Sequence, residues 1–391
     1  MKSDKPGIRT THTGSLPRPP EILEAMRQRE DGALADEAAF DASVFRNVEE
    51  IVARQVALGL HVVGDGECGK ASFHTYQTER LTGFERRVPP GGMPVPTGPI
   101  SPHGRDAHQF PDFYRGVLEH NPFEHVVRVA PRVCVAPIAY VGREKLRRDI
   151  DTLTGALKAC GGGAAFMPST TPIPEAANEH YASNEEYALA YGEAMRVEYL
   201  AILDAGLTLQ IDDPHMLSSW DKRRDWTIGE FRAWAAQRVE LLNHALRGLP
   251  LERVRYHTCY GVNCGPRVSD LQLEEVVDLL FAINVGAYSF EAANPRHEHE
   301  WRVFETRRPP AGKMLIPGVV THSNPMIEHP QVVADRIERW AGVIGRDNLM
   351  VGNDCGFAST AGNAEIPMTV AWAKLEALTE GARLASARLW Q

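Results

Sequence analysis

A histidine and a cysteine two residues apart, His257 and Cys259, stand at the end of a β-forming run, Arg253–Tyr256. On an extended backbone alternate side chains share a face, so this imidazole and this thiol point the same way. Together they make half of a zinc site. Two later strand ends offer the other half: Glu291, closing Tyr288-Ser289-Phe290-Glu291, and Cys355, in Val351-Gly352-Asn353-Asp354-Cys355-Gly356. Zinc held by two thiolates, a carboxylate and a neutral imidazole carries net negative charge. It is then a weak Lewis acid for hydrolysis but a good carrier for an incoming thiol, which loses its proton on binding and stays nucleophilic. A hydrolytic zinc keeps His-rich ligands and an open water position, so two cysteines favour thiol alkylation.

Each residue taken singly has a plainer reading. A His or Cys beside a strand is more often a core or capping residue. Glu291 could pair with Arg296 or Arg302, Asp212 could cap the segment after it, and His322 could be a solvated loop residue. Cys264 lies past the strand end and is set aside as a non-ligand; Cys68, beside Glu67, is a weaker rival; Cys134 and Cys160 carry no assigned role.

Phase argues against the plain readings. The chain reads as repeated β-then-α units. Strands are expected at Ile8–Thr13, Leu60–Asp65, Ala164–Pro168, Leu207–Asp213, Arg253–Tyr256, Ala287–Glu291, Met314–Val320 and Asn348–Asp354. Apolar residues at helical spacing predict helices over 38–58, 144–159, 184–205, 228–246, 273–283, 329–343 and 364–386, with Gly59 and Gly206 as stops. Eight such strands predict a (β/α)8 TIM barrel as a single domain over 1–391; a doubly wound open sheet is the alternative. No Gly-x-Gly-x-x-Gly opens an early helix, so no nucleotide fingerprint is present. Thr13-Gly14-Ser15, Glu67, Asp212, His257 with Cys259, Glu291, His322 and Cys355 all fall at C-terminal strand ends. In a barrel these ends converge on one face, where the site is built. Residues 88–130, rich in Pro, Gly and His, are too long for an ordinary loop. They read as an insertion, a lid or an oligomer arm, with a hairpin reaching Val133–Val141.

A net charge of −9 argues against a nucleic-acid surface and gives no reason to expect a membrane surface. No apolar run approaches the roughly 18 residues of a transmembrane helix. Met1-Lys2-Ser3-Asp4-Lys5-Pro6 lacks a signal peptide's apolar stretch, and a cytoplasmic location is the expectation. In a reducing compartment six cysteines in a chain of 391 residues are not a disulfide framework.

The ordered set Thr10-Thr11-His12-Thr13-Gly14-Ser15-Leu16-Pro17, Gly64-Asp65-Gly66-Glu67, Gln210-Ile211-Asp212-Asp213-Pro214, His257-Thr258-Cys259, Glu291 and Asn353-Asp354-Cys355-Gly356 resembles the catalytic domain of cobalamin-independent methionine synthases, over residues about 8 to 385. The stretch Phe290-Glu291-Ala292-Ala293-Asn294-Pro295-Arg296-His297-Glu298-His299-Glu300-Trp301 is closer to the short, single-barrel members, which include epoxyalkane–coenzyme M transferases. The resemblance implies a (β/α)8 barrel with zinc on His257, Cys259, Glu291 and Cys355. It implies that Thr13, Gly14 and Ser15 hold an amino-acid carboxylate, that Glu67 and Asp212 hold its ammonium, and that His322 gives a proton to the departing folate nitrogen. The acceptor would be homocysteine or a similar thiol, the donor methyl-tetrahydrofolate or a simpler one. Coenzyme M alkylation and a non-catalytic zinc barrel are the alternatives. Two departures stand out. The family's long members use a second, N-terminal barrel for polyglutamylated folate, and a folate-contacting Glu of the family is replaced here by Ser218.

Overall fold

The β-branched runs pair into eight parallel strands in the computed structural model, which describes residues 6–72, 76, 79–88, 103–119, 131–261, 265–362 and 366–391. In chain order these are β1 (Arg9–Thr10), β2 (Val62–Val63), β5 (Ala164–Thr170), β7 (Thr208–Asp213), β8 (Val254–Thr258), β9 (Ala287–Phe290), β10 (Met314–Val320) and β11 (Met350–Asn353). Three further strands, β3 (Phe84–Arg86), β4 (Arg132–Cys134) and β6 (Ala177–Asn178), form a small separate sheet. The large sheet runs β1-β11-β10-β9-β8-β7-β5-β2. A parallel bridge between Thr11 and Val62, and the His61 N–H donated to the Thr10 carbonyl at 3.1 Å, bring its edges together as a barrel. This is the α/β architecture expected from the sequence.

The barrel interior packs Val62, Phe166, Ala287, Met314, Ile316 and Met350. Among them sits Arg255, its guanidinium 3.6 Å from the Phe166 ring centroid. It donates to Gln210 Oε1 (2.7 Å), Thr11 Oγ1 (2.8 Å) and the His12 carbonyl (2.9 Å), tying three strands together. Burial pushes its pKa down to about 9.

The surrounding helices follow the expected spacing: Glu37–Ala57, Arg143–Ala159, Asn184–Asp204, Ile228–Leu246, Pro330–Ile344 and Met368–Leu389. Asp36 and Ser183 cap their helices by accepting the N–H of Ala39 and Glu186, and Thr227 with Glu230 forms a capping box. Gly59 and Gly206 take φ of +84° and +85° at helix ends, which a Cβ would resist. The helix expected over 273–283 is broken into a 3-10 turn, Leu273–Glu275, and a short helix, Val277–Phe281. Glu300 Oε1 accepts the Leu273 N–H at 2.6 Å and anchors the turn, and Val276 departs to φ −136° between the two pieces.

The expected hairpin takes a different form. β3 pairs antiparallel with β4, and β6 joins β4 in parallel. Of the stretch 88–130, only 88 and 103–119 are described. They hold the helices Arg105–Gln109 and Pro111–Glu119. The Asp106 carboxylate accepts the N–H groups of Val268 (3.2 Å) and Ser269 (2.8 Å), and its own N–H donates to Asp221. Arg105 lies 3.9 Å over Trp220. This part of the insertion is therefore fixed to segments following β7 and β8, on the face where the strands end. Among the described residues no helix is long and apolar enough to cross a membrane.

Candidate metal centre and substrate pocket

β8 delivers His257, the next residue but one is Cys259, and Cys355 lies two residues past β11. One ring nitrogen of His257 and the two Sγ atoms lie within 4.8 Å of one another, all in buried residues. His257 Nδ1 is 3.2 Å from Ser289 Oγ on the neighbouring strand β9, while Nε2 is buried without a hydrogen-bond partner. Donation from Nδ1 to the serine leaves the Nε2 lone pair free, as a metal-bound imidazole requires. The two cysteines are free thiols. A hydrogen bond to Cys355 lowers the Cys259 pKa and raises that of Cys355, so the pair gives up one proton readily and holds the other tightly between the two sulfurs. Two sulfurs and an orphaned imidazole nitrogen fit a soft divalent ion.

Glu291 stands one step aside. Its carboxylate groups with His322 and Asp354, again within 4.8 Å. Oε1 accepts the Tyr260 N–H at 2.9 Å; Oε2 accepts from Arg267 Nη1 and Asn294 Nδ2, both at 2.8 Å. Burial alone would raise the Glu291 pKa, but the Arg267 guanidinium outweighs it and holds the carboxyl well below its usual range. Of the four expected ligands, three converge and the fourth is held in a salt bridge beside them. The Arg267 side also carries Asp270 (2.7 Å), which meets His297 Nε2 (3.0 Å), which in turn meets Glu300 (2.8 Å). Burial opposes charge on His297, but its two carboxylate partners raise the pKa to about 9.

The turn after β1 is clamped from three sides. Thr13 N–H donates to Asn353 Oδ1 and its hydroxyl to the Asn353 carbonyl, both at 2.9 Å. Gln210 Nε2 donates to the Thr13 carbonyl at 2.5 Å, and Phe357 N–H to the Ser15 carbonyl at 2.9 Å. The N–H groups of Gly14 and Ser15 have no acceptor among the described residues, which suits an incoming carboxylate. Gly14 has φ +145°, and a Cβ there would come within 2.5 Å of Glu67 Oε1. Glycine alone lets the Glu67 carboxylate lie against this turn. Glu67 itself takes φ +55°, fixed by its N–H donating to Asp65 Oδ1 at 2.9 Å.

Asp212, near the end of β7, accepts from Gln210 Nε2 at 2.7 Å. Burial raises the pKa of both Glu67 and Asp212, the latter to about 7. Two desolvated carboxyls facing one space favour an ammonium between them. Lys70, buried with Nζ on the Pro168 carbonyl (3.0 Å), tempers their charge. His322 is fully buried, and neither ring nitrogen has a hydrogen-bond partner. Burial pushes its pKa down to about 4 against the pull of Glu291. Ser218 is turned inward, its hydroxyl donating to the Pro214 carbonyl at 2.6 Å. Cys264 lies outside the described residues.

Ser289, Lys70, Arg267 and Asn294 contribute to the site without having been singled out for it from sequence. Ser289 does announce itself as the one polar side chain in the run Ala287–Phe290 beside β8; Arg267 lies in an irregular loop at φ +57° and carries no periodic signal.

Known proteins resemble this chain over most of its length. A methionine synthase of Thermococcus kodakarensis is 26% identical over 90% of this chain and 87% of its own length. A 5-methyltetrahydropteroyltriglutamate–homocysteine methyltransferase of Rhodococcus jostii is 24% identical over 98% of this chain but only 44% of its own. A B12-independent methionine synthase of a Shewanella species, solved with selenomethionine, superposes with a TM-score of 0.69 at 21% identity, covering 98% of this chain and 99% of its own. The family model of the cobalamin-independent synthase catalytic domain matches residues 169–375, more than half of the 391 and spanning β7 to β11. With more than half of its residues matched by that model, the chain belongs to the cobalamin-independent synthase catalytic-domain family.

Proposed function

We propose that the chain is a zinc-dependent S-methyltransferase of the methionine synthase type, with homocysteine or a closely related α-amino thiol as acceptor and methyl-tetrahydrofolate or a simpler compound as donor. The observation that carries this reading is the placement of two buried thiols and an unpartnered imidazole nitrogen next to two desolvated carboxyls and a turn whose N–H groups have no acceptor among the described residues. His257, Cys259 and Cys355 would hold zinc, with Glu291 as the fourth and most readily exchanged ligand, a hard carboxylate that already has Arg267 as a partner. Zinc supplies acidity to the thiol, keeping the sulfur anionic at neutral pH. Gly14 and Ser15 amides take the substrate carboxylate, and Glu67 with Asp212 takes the ammonium. His322, which burial keeps neutral, would take up a proton beside the Glu291 carboxylate and pass it to a basic leaving group. Residues 103–119 of the insertion would form part of the cover on this face, held there by Asp106.

The test is the zinc absorption edge, recorded with and without thiol. Homocysteine should perturb it and 2-mercaptoethanesulfonate should not; the reverse would favour alkylation of a sulfonate thiol, and no change with either would favour a non-catalytic zinc site. Asp212→Asn should raise the KM for homocysteine roughly ten- to a hundredfold, the effect of losing one charge-assisted contact, with zinc content intact. His322→Ala should depress kcat with little change in thiol binding, because a general acid acts as the leaving group departs. Unchanged homocysteine kinetics in Asp212→Asn would show that the amino-acid pocket is misassigned.

A further inference from the structure

Beside the reacting centre, over the segments that follow β8, β9 and β10, lies a cleft of about 260 Å³ lined by Gly265–Arg267, Asn294–Arg296 and Ser323. These segments belong to a different arc of the barrel from β1, β2 and β7, whose ends carry Gly14, Ser15, Glu67 and Asp212. Two guanidinium groups line it. Arg267 is neutralised by Glu291 and Asp270, yet its Nη2 is buried with no acceptor. Arg296 has no carboxylate partner among the described residues: Nη2 donates to the Val268 carbonyl at 2.8 Å, and Nε is buried without an acceptor. Both are planar cations whose fork matches an oxyanion, and Arg296 brings its charge to the cleft with no carboxylate among the described residues to neutralise it. Arg296 is held in place, since Asn294 Oδ1 accepts its backbone N–H at 3.0 Å and that of His297 at 3.2 Å. Ser323 follows His322 directly, and Arg267 touches Glu291, so a group bound here sits one side chain from the reacting atoms.

We propose that this cleft is an oxyanion site that receives the acidic group of the methyl donor. Anion binding stands on the cleft itself; its assignment to the donor rests on the methyl-transfer reading above. The side of the barrel decides between the two substrates. The acceptor's own carboxylate is served by the Gly14–Ser15 turn, leaving Arg296 for the second substrate.

Calorimetric titration of sulfate into the metal-loaded full chain tests this. One site per chain is expected, weakened roughly tenfold or more in Arg296→Gln, as loss of a charge-assisted partner implies. Arg296→Lys, which keeps charge but not the fork, should fall between, and metal content should be equal in all three. Methyl-tetrahydrofolate should displace sulfate, and its KM, not that of homocysteine, should rise in Arg296→Gln. No saturable sulfate binding, or equal binding in Arg296→Gln, would overturn the site. Sulfate binding through Arg296 that methyl-tetrahydrofolate does not displace would overturn the donor assignment and leave a site for free sulfate or phosphate. Displacement by 2-mercaptoethanesulfonate instead would transfer the site to the thiol and overturn it likewise. A zinc edge insensitive to homocysteine would sink the methyl-transfer reading while leaving the sulfate result standing.

Discussion

Cys355→Ser is expected to give a folded protein with no stoichiometric metal and no turnover. The loop that carries Cys355 is fixed by its backbone and by Asn353, not by the thiol. Asn353 Nδ2 donates to the Cys355 carbonyl at 2.5 Å, while the Asn353 Oδ1 and carbonyl hold Thr13. Serine is close to cysteine in size and should leave these contacts in place. What it removes is one of only two soft donors in the cluster, and its hydroxyl does not ionise near neutral pH. Cys259→Ser should behave alike. In the wild type the metal should be lost to a chelator as pH falls, since thiolates and imidazole must take up protons to release it. Metal analysis beside a thermal melt reads both effects, and full occupancy in the two serine variants would sink the ligand assignment.

Most of what positions this cluster was legible in the chain. The strands announce themselves as β-branched runs because both of their faces are buried, under helices outside and Phe166 and Arg255 within. The glycine stops lie in local sequence, so Gly59 and Gly206 are read directly, while the caps Asp36 and Ser183 are seen only in the structure. Non-local pairings are not legible in the chain. Ala177–Asn178 has no β-pattern and becomes a strand only because Arg132–Cys134 lies beside it. The break at Val276 depends on Glu300, which reaches back to cap Leu273 from 27 residues away. Glu291 shows the same limit within the site. Its residue type and strand-end position mark it as a ligand candidate, but the cation that competes for its carboxylate comes from a loop without periodicity.

That competition yields the second large effect. Arg267 is 4% exposed and bridges Glu291 and Asp270, themselves almost wholly buried. Arg267→Gln removes the cation and leaves the desolvated Glu291 carboxylate without its ion-pair partner, while Asp270 keeps His297; losing one partner of a buried pair costs about 3–5 kcal/mol. Glu291 keeps the Tyr260 N–H and Asn294, neither of which carries charge. The metal-free variant should therefore melt well below the metal-free wild type. With zinc bound the outcome differs, because a divalent ion can take the place of Arg267 beside Glu291. A ligand that binds the folded state stabilises it in proportion to its affinity. Zinc should thus raise the Tm of Arg267→Gln by more than it raises that of the wild type, and zinc content should be retained. A purely structural Arg267 predicts the same zinc-induced shift in both proteins. An equal or smaller shift in the variant would show that Glu291 does not move between the arginine and the metal, and that the metal is held by His257, Cys259 and Cys355 without it.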